Sequence, residues 1–261
     1  MTSLITHLQN KFSDSAMDKL VRDKAISAGT RLLFDFSNSY SNPNPDGTIP
    51  FGAKFVNLVD GAPGAVIGGA NAAALVNGRS TSGGIRAPAS GANGQTIVFG
   101  NTYSLHEASP SFIALAWVKC PSNAVASSYQ TVFSLIGMNN QNALFAMDTG
   151  ADGKSPRVNA NSHNNVPVFK VVPGFTLDVV HQIGVAWRPG FVDVILDGQV
   201  VSTTTNVNTD LLDLSAYNLQ ALTARQSTTL YRVFFEDLST AKRSAAAAAA
   251  ADYSSAKGLY S

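Results

Sequence analysis

The chain has 261 residues, a formal net charge of +1 and only 13% charged residues. That length suits one large β domain or two small ones, and the positive charge is too sparse for a nucleic-acid surface. The single cysteine, Cys120, excludes an intramolecular disulfide, and His7, His106, His163 and His181 share no metal-ligand spacing, so no zinc site is expected; nor is a cofactor.

The chain opens on a stretch unlike the rest. Leu4, Ile5, Leu8 and Phe12 recur at helical spacing, and Ser13 or Ser15 is placed to cap a second helix. Met17, Leu20, Val21, Ala25 and Ala28 then form an apolar stripe that Gly29 stops. Residues 1–29 are therefore predicted to be a helical extension whose stripe needs a partner surface, with Leu4, Leu8, Phe12, Leu20 and Val21 as the protein-interaction residues. Its charges are too mixed in sign for a membrane anchor, and no apolar run approaches the ~20 residues of a spanning helix. No secretory h-region is expected at the N-terminus.

Strands dominate from residue 30 onward. Arg31 to Phe36 reads as the first, followed by an Asn/Pro/Ser-rich loop from Ser37 to Gly47. Between Phe51 and Gly100 short apolar pieces, Phe55 to Val59 and Thr96 to Phe99, interrupt Gly-, Ala-, Ser- and Asn-rich chain that predicts irregular strands and long loops. Regular strands follow at Phe112 to Lys119, Thr131 to Ile136 and Ala143 to Met147; Asp148 to Pro167 reads as a long polar loop, and Val168 to Val172 as a further strand. Val179 to Trp187 and Phe191 to Leu196 form a hairpin, and the Asp197-Gly198 turn returns the chain into Val200 to Thr204. Leu230 to Phe235 is the last strand. Leu238-Ser239-Thr240 then caps a helix over Ala241 to Ala251, which includes seven consecutive alanines, and Asp252 to Ser261 is a tail. Many strands with turn-rich links and no βαβ rhythm predict an all-β, two-sheet antiparallel sandwich over residues 30–261.

The order of these pieces resembles the laminin-G-like and concanavalin-A-like sandwich family. Phe112 to Lys119 with its tryptophan, Thr131 to Gly137, His181 to Trp187, Asp197-Gly198 with its following strand, and Tyr231 to Phe235 before a helix all match the family's succession. The resemblance covers roughly Leu32 to Asp252 and implies a jelly-roll sandwich with a short C-terminal Ala-rich helix, to which the N-terminal helices read from the apolar spacing are added. It also implies structural roles for its marked residues: Trp117 and Trp187 in the core, Asp197 and Gly198 in the turn.

Low charge, abundant Asn, Gly, Ala and Ser, and a helical N-terminal piece resemble, in style, proteins of tailed-phage particles. That resemblance implies a non-enzymatic virion subunit, a head decoration, fibre or tail protein assembled in the host cytoplasm. Its partners would be other virion proteins and further copies of itself, with no nucleic acid and no membrane. The alternative is an adhesin domain that binds host-surface glycans through the loop from Asp148 to Asn165, near whose end His163 lies. Catalysis is not expected. Glycoside hydrolysis needs two carboxylates across a cleft, yet Glu107 and Glu236 are the only glutamates, Glu236 and Asp237 are adjacent, and Asp193 stands alone in its strand. A serine-hydrolase elbow and a phosphate-binding loop are also missing. Asp35, Asp60, Asp148 and Asp152 lie near loops with oxygen-rich neighbours that suit calcium, but no dense acidic loop joins them.

Overall fold

The computed structural model describes residues 23–69, 73–81, 83–87, 95–99, 111–122, 131–137, 143–148, 157–161, 167–188, 190–205, 217–221 and 227–260. In chain order the strands are β1 (Thr30–Asp35), β2 (Gly47–Thr48), β3 (Lys54–Phe55), β4 (Ala65–Gly68), β5 (Val76–Asn77), β6 (Ile85–Arg86), β7 (Thr96–Val98), β8 (Phe112–Lys119) and β9 (Thr131–Gly137). They continue with β10 (Ala143–Asp148), β11 (Arg157–Asn161), β12 (Pro167–Val171), β13 (Val180–Arg188), β14 (Phe191–Leu196), β15 (Gln199–Thr205), β16 (Tyr217–Ala221) and β17 (Thr229–Asp237). Two helices close the described chain, α1 (Leu238–Ala241) and α2 (Ala245–Ala256).

The strands form two antiparallel sheets. The first, nine-stranded, runs β15-β14-β13-β8-β17-β6-β5-β2, with β1 also paired to β17; the second, eight-stranded, runs β12-β11-β10-β9-β16-β7-β4-β3. Alternation along the strands builds the core between them. Phe112, Ala114, Ala116 and Val118 of β8, Ile183, Val185 and Trp187 of β13, and Val192 and Val194 of β14 share one buried cluster with Phe55, Ile67 and Ile97 from the second sheet.

The opposite face of the first sheet is apolar too, which is why β8 and β17 read as continuous apolar runs. Leu33, Ile113, Leu115, Ala186, Ile195 and Phe234 lie there, buried under Leu238, Ala248, Ala249 and Ala25. Alanine is what lets a helix lie this close to a sheet: Ala248, Ala249 and Ala256 are wholly buried. Covering an aromatic or aliphatic side chain such as Phe234 or Leu115 contributes about 1.5–3 kcal/mol, so the helical layer is part of the stable fold.

The position of the helices corrects the expected architecture. Both described helices lie at the C-terminal end, within 238–256, and no described residue on the N-terminal side of the sandwich is helical. Residues 23–29, expected as the end of an apolar helical stripe, form turns. The cause is local: the Asp23 carboxylate accepts the Ala25 N–H at 2.8 Å, the Thr30 hydroxyl accepts the Ser27 N–H at 2.8 Å, and the Ser27 hydroxyl accepts the Gly29 N–H. Such short-range bonds compete with a helical ladder. Leu4, Leu8, Phe12, Leu20 and Val21 lie outside the described residues.

The C-terminal helix is longer than its alanine run and starts later than expected. Asp237 caps α1, accepting from the N–H groups of Ser239 and Thr240, and Ser244 caps α2, accepting from Ala247. The helix runs on through Asp252 and Tyr253, which the sequence places in a tail. Two further elements depart from expectation: β11 interrupts the predicted 148–167 loop, pairing with β10 and β12, and β16 pairs with β9 and β7.

Candidate functional site

A polar network fastens the helical layer to the sheet. Arg232, in the middle of β17, is wholly buried. Its Nε donates to Asp252 and one terminal nitrogen donates to Asp23, each at 2.8 Å. Asp252 also accepts from the Trp117 indole at 2.8 Å and from Gln182 at 2.7 Å. The Trp117 ring stacks on Tyr253 with centroids 5.5 Å apart. Trp117 therefore sits in the outer cluster beneath α2, whereas Trp187 packs between the sheets. Nearby, Glu236 is wholly buried and accepts from Arg243, Ser27 and Thr30. These carboxylates hold the fold together.

Asp197 and Gly198 form the two-residue turn between β14 and β15, with φ of 47° and 81°, the left-handed values such a hairpin needs. The Asp197 carboxylate also accepts the Gln182 N–H at 3.0 Å and contacts His181 Nδ1 at 2.8 Å. The other ring nitrogen, Nε2, accepts from the N–H of Thr176 at 3.3 Å and meets its hydroxyl at 2.8 Å. His181 is thus a fastener between the turn and the chain entering β13.

The candidate site is a groove of about 760 Å³ on the outer face of the first sheet. Its floor is Ala186 of β13, Asp193 of β14, and Val200 and Thr203 of β15; its wall is Leu238, Ser239 and Lys242 to Ala246; Ser111 and Arg188 also line it. Register places the floor: Ala186 faces Asp193, and Asp193 faces Thr203. The Thr203 hydroxyl donates to Asp193 Oδ1 at 2.6 Å, and Arg188 Nε lies 3.6 Å from Oδ2. The Arg188 guanidinium stacks 3.8 Å over the Phe191 ring, leaving its plane oriented at the groove's margin.

Lys242 stands at the wall in a left-handed conformation, φ 53°, as the C-cap of α1. Glycine is the usual residue there. Its ammonium has no ion pair among the described residues, while the neighbouring Arg243 is held by Glu236 and by the Ala25 carbonyl. The first residues of α2 border the same space, and the amino end of a helix carries partial positive charge. The groove thus offers hydroxyls, an oriented carboxylate and cationic groups. Its only aromatic lining residue among those described is Trp187, whose ring belongs to the inter-sheet core.

The sequence reading missed this groove. Asp193, flanked by Val192 and Val194, was its one visible signal: a charged residue in a strand apolar on both sides. The loop expected to hold sugars is in part the strand β11; residues 149–156 and 162–166, with His163 and Asp152, lie outside the described residues. Among the expected calcium candidates, Asp35 accepts from Ser37 and Tyr260, and no group of three or more potential metal ligands occurs among the described residues. Among them, too, no helix is long and apolar enough to cross a membrane.

No family model matches the chain, and no curated protein matches it. Solved structures do share its fold. The sialidase of Trypanosoma rangeli superposes with a TM-score of 0.56 at 12% identity, covering 99% of this chain and 39% of the sialidase. The same enzyme in complex with 2,3-difluorosialic acid gives a TM-score of 0.56 at 12% identity over 91% of this chain and 35% of that one. The binding domain of botulinum neurotoxin serotype D gives 0.59 at 11% identity, over 90% of this chain and 52% of the domain. The chain spans between about a third and a half of the length of these structures. The fold thus resembles sialidase and toxin receptor-binding modules, where the sequence style led to the expectation of a virion, capsid-decoration or tail protein; at 11–12% identity the likeness shows the fold alone.

Proposed function

We propose that this chain is a carbohydrate-binding module and that the groove between the first sheet and the α1–α2 connection is its binding site. The observation that carries the reading is the groove's lining, in which Thr203, Ser239, Ser244, Arg188, Asp193 and Lys242 supply donors and acceptors on a rigid sheet and helix end. Sugars are recognised by such convergent polar groups in a concave site. The conformation of Lys242 adds support. A left-handed non-glycine residue costs about 1–2 kcal/mol, and strain of this kind clusters at functional sites. The sialidase and toxin receptor-binding neighbours make a glycan ligand the natural class, although their identity to this chain is too low to transfer any residue.

The role proposed is binding without catalysis. Among the described residues the groove holds one carboxylate, Asp193, and that group is engaged by Thr203 and Arg188, whereas glycoside hydrolysis ordinarily uses two. With no aromatic platform exposed in the groove among the described residues, recognition rests on hydrogen bonds and charge.

A glycan-array screen of the chain and of Ala246→Trp tests the proposal. Ala246 is exposed and lines the groove, so the indole fills the site without disturbing the core. Binding by the wild type that disappears in a normally folded Ala246→Trp variant is the expected result. Binding that survives the substitution unchanged, or a wild type that retains no glycan, would overturn it.

A further inference from the structure

We infer that the chain forms a homodimer by antiparallel pairing of β15 with β15 of a second copy, joining the two nine-stranded sheets edge to edge. A sheet edge presents unpaired N–H and C=O groups, and proteins guard such edges with short strands, lysine or proline. β1, which pairs only with β17 among the described strands, is covered on its other side by Asn57 and Leu58; of the four remaining edges, three are guarded in that way. β2 and β3 have two residues each, and β12 begins on Pro167 and carries the exposed Lys170. The fourth edge, β15, is different. It has seven residues, Gln199–Thr205, with neither charge nor proline, and no strand among the described residues pairs with its far side. Its valines and threonines favour extended chain.

The occupant follows from self-complementarity. An antiparallel pair of identical strands has a two-fold axis through its centre, and an uncharged strand meets its own copy without like-charge repulsion. Seven residues give a shared ladder of roughly 23 Å. The axis must be perpendicular to the sheet for identical strands to pair antiparallel within it, so the same face of both sheets points the same way. Val200 and Thr203 of β15 line the groove. A β15 dimer therefore places two grooves side by side, open to one surface, and so suits bivalent attachment to a glycan-coated surface. This last consequence rests on the carbohydrate reading; the dimer itself does not.

Ser202 is the central residue of β15 and half-buried, so a centred pair puts each Ser202 close to its symmetry mate. Sedimentation velocity across the micromolar range on the full chain, on Ser202→Lys, on Ser202→Glu and on an equimolar mixture of the two variants tests the interface. The expected result is a wild-type dimer, monomeric single variants with unchanged melting profiles, and a dimer restored in the mixture by opposite charges. A monomeric wild type, variants that remain dimeric, or a mixture that stays monomeric would overturn it. Ser202→Cys repeats the test at the axis should either charged variant fail to fold: mild oxidation is expected to give a disulfide-linked dimer, and a chain that stays monomeric on a non-reducing gel would overturn the interface. A dimer that binds no glycan leaves this inference standing and refutes the function alone.

Discussion

Arg232 and Asp252 form an ion pair at 2.8 Å with side chains 1% and 0% exposed, and this pair locks the C-terminal helix onto the sheet. Replacing the aspartate leaves the buried guanidinium with Asp23 as its one remaining carboxylate and removes an acceptor from Trp117 and Gln182. Breaking a buried pair from one side costs about 3–5 kcal/mol. Asp252→Ala is therefore expected to be the most destabilising single change in α2. Chemical denaturation with far-UV circular dichroism measures it, and a loss below about 1 kcal/mol, the worth of an exposed pair, would show that the network does not hold the helix.

Acid should loosen the same network through Asp23. Burial raises its pKa, but the hydrogen bond and charge of Arg232, helped by Ser255 and the Ala25 N–H, outweigh it and hold the carboxyl below its ordinary value of 3.8. A depressed native value means that the unfolded chain binds the proton more readily. The contribution is then whole above pH 3.8 and is lost as pH falls through the lower native value. Asp23→Asn should accordingly be less stable than wild type near neutrality, with the difference shrinking in strong acid. A difference in unfolding free energy that is constant over this range would contradict the assignment.

Lys242 predicts a separation of stability from binding. Lys242→Gly relieves the left-handed backbone and removes from the groove wall an ammonium that has no ion pair among the described residues. The variant should melt at or above the wild-type temperature, gaining up to about 1 kcal/mol, while losing affinity for the array-selected glycan. Calorimetric titration and thermal melts read the two effects separately, and unchanged affinity would remove Lys242 from the site.

Cys120 should be inert in the native protein. Burial pushes its thiol up to about 12, and the thiolate is the reactive form. Alkylation by iodoacetamide is expected only under denaturing conditions, and rapid labelling of the folded chain would contradict its placement in the core.

The parts of the fold that are legible in sequence are the long apolar runs bounded by turn residues. β8, β13 and β14 are such runs, and the Asp197-Gly198 turn fixes their hairpin partner. β11 and β16 are short and polar, and their pairing depends on neighbours distant in the chain. The alanine run announces a helix, but its continuation through Asp252 depends on Arg232, a partner that the local sequence does not display. Asp23 and Ser27 carry helix-like spacing around them, yet their side chains capture nearby amides and turn the chain instead. The groove was the least legible feature because register and helix packing assemble it from three separated stretches around Ser111, Asp193 and Lys242. The likeness to phage proteins rested on composition, which many folds share.

The central claim is that carbohydrate binds in this groove, and amide chemical-shift mapping on titration with the array-selected glycan tests it most directly. The account predicts shifts concentrated at Arg188, Asp193, Thr203, Ser239 and residues 242–246, with little change around Asn42 and Arg79 at the β2–β5 end of the sheet. Shifts confined to that far end, or to the second sheet, would contradict it.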